Sequence, residues 1–234
     1  MAVLTAMRRI LVLGDESESI LPLVGAAGFE LVTESPDVVL TYGGDGLLLH
    51  SEREWPGVPK LPLRNSRFGK KCEPRTVQEA LDRLARNDLV ATEFSKIRAE
   101  VREEVRIGLN DVVVHNSRPT SSVRCRVWIN GEAFGGEVVG DGVVVATRFG
   151  STAYYRSITR SIFRAGLGLA FNNSTEPVDH VVFSEDSVVR VRVTRGPAIV
   201  AADNDPDTVA LEDGDEIVVR RDAGAAIILS LPDR

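Results

Sequence analysis

Cysteine is scarce. Cys72 and Cys125 are the only two in 234 residues, far apart and in no metal or redox spacing. Nothing suggests secretion, so free thiols in a reducing cytosol are expected rather than a disulfide. A basic surplus is missing too: 28 Lys and Arg stand against 34 Asp and Glu, a net charge of −6. That balance argues against a general binder of nucleic acid or of a membrane surface. No stretch approaches the ~20 apolar residues of a membrane span, and Met1 to Thr5 lacks the apolar core of a signal peptide. A soluble cytoplasmic protein with small-molecule partners is expected. Two nucleotide motifs are also absent. Gly14 stands alone before Asp15-Glu16-Ser17, so there is no dinucleotide fingerprint, and no Gly-Lys-Ser/Thr phosphate loop occurs.

What remains is an ordinary globular composition, 43% hydrophobic and 26% charged, in a chain long enough for one large core or two modest ones. Arg8 to Gly14 reads as a first strand, Ser19 to Ala27 as a short helix around Pro22, and Phe29 to Thr33 as a second strand. Asp37 to Thr41 is a third, β-branched and buried. This rhythm indicates an open, mainly parallel sheet, whose ligands sit at the carboxyl ends of the strands.

At that position lies Tyr42-Gly43-Gly44-Asp45-Gly46. Glycines let the backbone turn and approach a ligand closely. Leu47-Leu48-Leu49 then starts a helix, so the free N–H groups of the loop suit phosphate. Asp45 has two readings: a turn residue capping the helix, or a carboxylate that binds a bridging metal or takes a proton from an attacking hydroxyl.

Trp55 to Lys71 reads as irregular around a short strand, Lys60–Leu63. Thr76-Val77-Gln78-Glu79 is a capping box, and Val77, Leu81, Leu84 and Ala85 continue at helical spacing to about Asn87. Beyond it the period changes to two, with alternation over Glu93 to Ile107, Arg124 to Ile129 and Val188 to Val193. Asn130-Gly131 marks a hairpin. The boundary is placed at residue 88: an α/β N-terminal domain over 1–88 and a β-rich domain over 89–234, its last strands able to return and pack on the first.

Two further segments matter. Asn110-Asp111 opens a buried strand, Val112-Val113-Val114. Gly140-Asp141-Gly142 reads as a tight turn into the strand Val143–Ala146, then Thr147-Arg148-Phe149-Gly150-Ser151-Thr152-Ala153-Tyr154 opens a helix. Ser151 and Thr152 offer hydroxyls and Tyr154 an aromatic face. Taken alone, that segment also reads as a plain strand-to-helix junction.

In this order the segments resemble the NAD kinase family, which shows a Gly-Gly-Asp-Gly loop, an Asn-Glu pair, and a Gly-Asp-Gly turn leading into Thr-Gly-Ser-Thr-Ala-Tyr. The resemblance covers roughly residues 40 to 160, and Ala202-Asp203-Asn204-Asp205 resembles the family's late Asp-Gly-Gln turn. It implies an α/β N-terminal domain with an open, mainly parallel sheet, an all-β C-terminal domain, and a nucleotide site between them. The implied reaction moves the γ-phosphoryl of ATP, with Mg²⁺, or of polyphosphate, to the 2′-hydroxyl of the adenosine ribose of NAD, giving NADP. By the match Asp45 is the base, and Gly43, Gly44 and Gly46 face phosphate. His50 lies near the NAD phosphates, and Asn110 and Asp111 hold ribose hydroxyls. Thr152, Ala153, Tyr154 and Ser157 line the adenosine pocket. Asp141 reaches the nicotinamide end, often from a neighbouring subunit, which implies a homodimer or homotetramer.

The chain departs from the family around the acceptor pocket. Asp111 stands for Glu, Arg148-Phe149 for Pro-Thr, Asp205 for Gln, Thr159 to Phe163 for a glycine and Pro-Ile segment, and Ser66 to Lys71 for Gly-x-Leu-Gly-Phe-Leu. Phosphoryl transfer is therefore better supported than NAD as acceptor. The alternatives are a kinase of this fold acting on another nucleotide or alcohol, and a non-catalytic nucleotide-binding regulator. A calcium loop at Asp203, Asp205 and Asp207 is rejected for want of Gly and Glu at its sixth and twelfth positions, leaving a solvated turn. No metal ligands are assigned. His115 and His180 read as structural, and Arg156, Arg160 and Arg164, four apart, read as phosphate grips or a solvated helix face.

Overall fold

The computed structural model describes residues 7–65, 71–72, 76–176 and 180–232. The chain divides into two compact units, Met1–Phe94 with Gly224–Arg234, and Ser95–Ala223.

The first unit is built on a parallel sheet. Glu30–Leu31 is its edge, followed by Arg9–Leu13, Val38–Gly43, Lys60–Arg64 and the end of the last strand, Glu216–Ser230, which meets Lys60 at Ile228. Strands buried on both faces must be apolar throughout, and Val38, Val39, Leu40, Leu61 and Leu63 are all buried. The helix Val77–Ala85 adds Ala80, Leu81 and Leu84 to this core. The hydroxyl of Thr76 accepts the Glu79 N–H at 3.2 Å, so the cap expected there forms. The second strand shrinks to two exposed residues because it is an edge with one neighbour. The first helix shortens to Leu21–Ala26, with Pro22 in its first turn.

Lys60 is fully buried in this unit. Lys60 donates to Glu52 Oε2 and to the carbonyls of Trp55 and Val58, each at 2.6 Å. An ammonium has three donors, and all three are matched. The pair ties the end of the helix Asp45–Glu54 to the strand behind it.

The second unit holds two layers. Val138–Gly140, Val123–Ile129, Val189–Arg195 and the start of Glu216–Ser230 form one, with the hairpin Val90–Val101/Glu104–Gly108 attached. The other, antiparallel throughout, runs Val181–Phe183, Leu167–Asn172, Gly142–Ala146, Asp111–Asn116, Ala198–Ala202, Val209–Leu211. Alternate residues such as Val112, Val114, Val143, Val145, Leu167 and Leu169 fill the core between the layers. Asn130 and Gly131, at φ 52° and 86°, make the two-residue hairpin turn that the sequence indicates.

The turn at Gly140-Asp141-Gly142 joins the two layers. Val139 pairs with Arg124 in one layer and Val143 with Val114 in the other, so Asp141 lies at the corner where the chain changes sheets. On the outer face of the second layer Ala146, Gly168 and Ala170 are small. The space they leave takes the buried ring of Tyr155, whose Cε2 would lie 2.7 Å from a Cβ at position 168. That seats the helix Tyr154–Thr159 on this face. Arg160, at φ 60°, ends the helix, while the Thr159 hydroxyl accepts the Ser161 N–H at 3.0 Å. Arg156, Arg160 and Arg164 therefore do not share a helix face.

Candidate functional site

In the first unit Gly43 ends its strand and Gly44, extended at φ −105° and ψ −179°, is the N-cap of the helix Asp45–Glu54. The helix begins at Asp45, two residues before the expected Leu47, because the Gly44 carbonyl already accepts the N–H of Leu47 at 3.1 Å. Asp45 thus occupies the first helical position, where the macrodipole favours negative charge. Its Oδ1 accepts the Lys71 N–H at 3.0 Å and the Cys72 thiol at 3.6 Å. Burial first, then the adjacent Asp45 carboxylate, push the Cys72 thiol up to about 12, so it is a neutral donor and not a nucleophile.

Beside this turn lies a pocket of about 260 Å³, walled by Gly14, Glu16, Tyr42, Gly43, Gly44 and Asn65. The Asn65 amide donates to Glu16 Oε2 at 2.8 Å. His50 lies further along the helix, its Nδ1 3.0 Å from an Arg53 nitrogen and 4.0 Å from Glu54. Of the resembling segment at Ser66 to Lys71, residues 66–70 lie outside the described residues.

In the second unit the structure gathers most of the remaining site residues. Asn110 and Asp111 are buried at the start of their strand. The Thr147 N–H donates to the Asn110 carbonyl at 2.8 Å and its hydroxyl to the Leu109 carbonyl at 2.5 Å. Gly150 packs so closely on Asn110 that any Cβ would fall on the Asn110 carbonyl. The turn from Phe149, half-buried, to Tyr154 is therefore fixed against the Asn110-Asp111 pair. Thr152 and Ala153 are half-buried within it, and Ser157 is exposed on the helix, its hydroxyl on the Tyr154 carbonyl at 2.7 Å. Burial, then Asp141 and Asp111, raise the Tyr154 phenol above its usual value.

The carboxylate of Asp141 is held on both oxygens. Asn116 Nδ2 donates to Oδ1 at 3.2 Å and Asn173 Nδ2 to Oδ2 at 2.6 Å. Asp203 corrects the reading of a solvated turn. Its carboxylate accepts the N–H groups of Leu109, Asn110 and Asp111 at 2.7, 2.7 and 3.1 Å. Asp205 stays in the turn, accepting the Asp207 N–H at 3.1 Å.

The asparagines at 116, 172 and 173 escape a sequence reading, and their one signal is polarity at the ends of apolar strands. The contacts of Asp203 and Cys72 leave no such signal. Among the described residues no group of three or more His, Cys, Asp or Glu side chains is placed to hold a metal ion, and no helix is long and apolar enough to cross a membrane.

No family model matches the chain. Known proteins do. The NAD kinase of Gemmatimonas aurantiaca is 30% identical over 223 residues, covering 88% of this chain and 76% of that protein. The NAD kinase of Acidithiobacillus ferrooxidans is 29% identical over 231 residues, covering 90% and 78%. Among solved structures, yeast NADH kinase complexed with NADH superposes with a TM-score of 0.84 at 14% identity, covering 97% of this chain and 84% of that one. An Archaeoglobus fulgidus NAD kinase in complex with ATP gives 0.80 at 20% identity, covering 96% and 94%. The α/β unit and the antiparallel β unit are the fold those structures share with it, and the extent and level of identity show that the chain belongs to the NAD kinase family.

Proposed function

We propose that the protein is a phosphotransferase that moves the γ-phosphoryl of ATP, or of polyphosphate, to the 2′-hydroxyl of the adenosine ribose of NAD, giving NADP. One observation carries the reading. Asp45 opens a helix directly after Gly43 and Gly44, and its carboxylate is pinned through Oδ1 by a backbone amide and a neutral thiol. Such a carboxylate is suited to take the ribose hydroxyl proton as the 2′-oxygen bonds to phosphorus and the bond to the leaving ADP, or to the shortened polyphosphate, breaks. Phosphoryl transfer depends mostly on alignment and charge neutralisation, and the helix N-terminus with Gly43, Gly44 and Gly46 supplies N–H groups for phosphate.

The remaining roles follow the resemblance. His50 faces the NAD phosphates, Asn110 and Asp111 hold ribose hydroxyls, and Thr152, Ala153, Tyr154 and Ser157 line the adenosine pocket. Asp141 contacts the nicotinamide end. Asp205 borders the ribose side, because its turn follows the Asp203 amide that donates to the Asp111 carbonyl at 2.9 Å. The described residues form no cage for Mg²⁺, so the ion is assigned to the phosphoryl donor and no step is routed through it.

The test is purified protein with ATP or polyphosphate, Mg²⁺, and NAD, NADH or a panel of nucleosides, followed by product analysis. NADP formation is expected, and Asp45→Asn should lower turnover by at least ~10² while nucleotide binding survives. Turnover near wild type in the variant removes Asp45 from the chemistry. A product from another acceptor alone would reassign the substrate. Nucleotide binding without any product would make the chain a binder.

A further inference from the structure

Behind Tyr154, the outer face of the second layer carries a polar pair, His115 and Asn172, to which the reaction above assigns no role. His115 and Asn172 lie on the two strands that flank Gly142, each paired with it from its own side, and their side chains meet across that glycine. His115 Nδ1 is 2.9 Å from the Asn116 carbonyl, which only accepts, so Nδ1 carries the proton. In the neutral ring Nε2 is then an acceptor. Asn172 Nδ2 lies 3.4 Å from that Nε2 and 2.8 Å from the Tyr154 hydroxyl. The amide must turn its nitrogen, not its oxygen, toward both. Tyr154 Oη therefore accepts from Asn172, and among the described residues the hydroxyl has no other hydrogen-bond partner. Its proton points away from the asparagine.

We propose that Asn172, oriented by His115, is a positioning residue that fixes the Tyr154 hydroxyl as an outward hydrogen-bond donor. The ligand must then present an acceptor atom at that point: a ring nitrogen, a carbonyl or a phosphate oxygen. In the opposite orientation the Asn172 carbonyl would draw the phenol proton inward and leave the ligand facing only an oxygen lone pair. The selectivity of the pocket is thus set one residue behind the residue that touches the ligand. This rests on the adenosine-pocket reading of Tyr154.

Two measurements decide it. Imidazole ¹⁵N NMR of the unaltered protein at neutral pH should show His115 with a protonated Nδ1 and an unprotonated Nε2; the reverse tautomer overturns the relay. In a double-mutant cycle, Tyr154→Phe and Asn172→Leu should each weaken NAD binding about three- to tenfold, and the double variant should be no weaker than either. Losses that multiply would show that Asn172 acts by another route and would overturn the proposal. Thermal melts of all three variants exclude misfolding as the cause. If the unaltered protein binds no NAD, the adenosine-pocket reading fails, while the NMR arm still supports or overturns the fixed orientation of Asn172.

Discussion

Asp203 Oδ1 accepts the backbone N–H of Asn110 at 2.7 Å, across 93 positions of sequence. The same carboxylate takes the amides on either side, so one side chain satisfies three consecutive donors where the strand Asp111–Asn116 begins. Asp203 itself sits at φ 50°, a left-handed conformation that Asp tolerates better than most residues. Hydrogen bonds to a charged group contribute about 1.5–3 kcal/mol, and removing the acceptor leaves donors unmatched. Asp203→Ala should therefore cost about 2–3 kcal/mol of stability and loosen Asn110 and Asp111, raising KM for the acceptor more than it lowers kcat. Urea denaturation and steady-state kinetics together check this, and an unchanged KM would confine Asp203 to stability.

Both thiols should be silent at ordinary pH. Cys125, surrounded by the core of the second unit and near Glu137, is pushed up to about 12 as Cys72 is, with burial the main cause. A thiol whose folded pKa is raised holds its proton when the unfolded chain has lost it. Its contribution to stability is complete below pH 9 and disappears as pH rises from about 9 to about 12. Alkylation by iodoacetamide should accordingly keep rising tenfold per pH unit through pH 9 and on to 10 in the folded protein. A plateau near pH 9, as for a free thiol, would show that the native state does not protect them.

The fold was legible because its two periods are clean. Apolar runs such as Val38–Leu40 have no polar face to expose, and residues such as Val189, Val191 and Val193 alternate with arginines. Fine detail failed where the decisive partner is remote in sequence. Nothing near Asp203 shows that its carboxylate reaches Leu109, and nothing near Cys72 shows that its thiol reaches Asp45. The Asp-Gly turn was legible as a turn, but that it carries the chain from one layer to the other shows only in the different partners of Val139 and Val143.

Phe149 is the departure most open to test. It precedes Gly150, whose contact with the Asn110 carbonyl fixes the whole turn, and it puts a large ring where the family has a small hydroxyl. Base–aromatic stacking contributes about 1–3 kcal/mol per base in nucleic-acid complexes. Phe149→Thr should then shift the preference among NAD, NADH and other nucleotides by roughly tenfold or more, with little change in melting temperature. A variant that melts much earlier and keeps its preference would assign the ring to packing.

The protein should form a homo-oligomer in which subunits complement one another. The strand Glu104–Gly108 pairs, among the described residues, only with Val90–Val101, and Val105 and Ile107 on it are 39% and 45% exposed. An open strand edge bearing apolar side chains is a template for pairing with another chain, and two-fold association through such an edge covers both copies at once. The resemblance adds that Asp141 serves a neighbouring subunit's nucleotide. Co-expressed Asp45→Asn and Asp141→Ala chains, each inactive alone, should then regain part of the wild-type turnover, because some mixed sites contain neither substitution. Light scattering at assay concentration supplies the second reading. A monomer, or mixed chains no more active than their parents, would leave each subunit to serve its own nucleotide and the exposed Val105 and Ile107 without a partner.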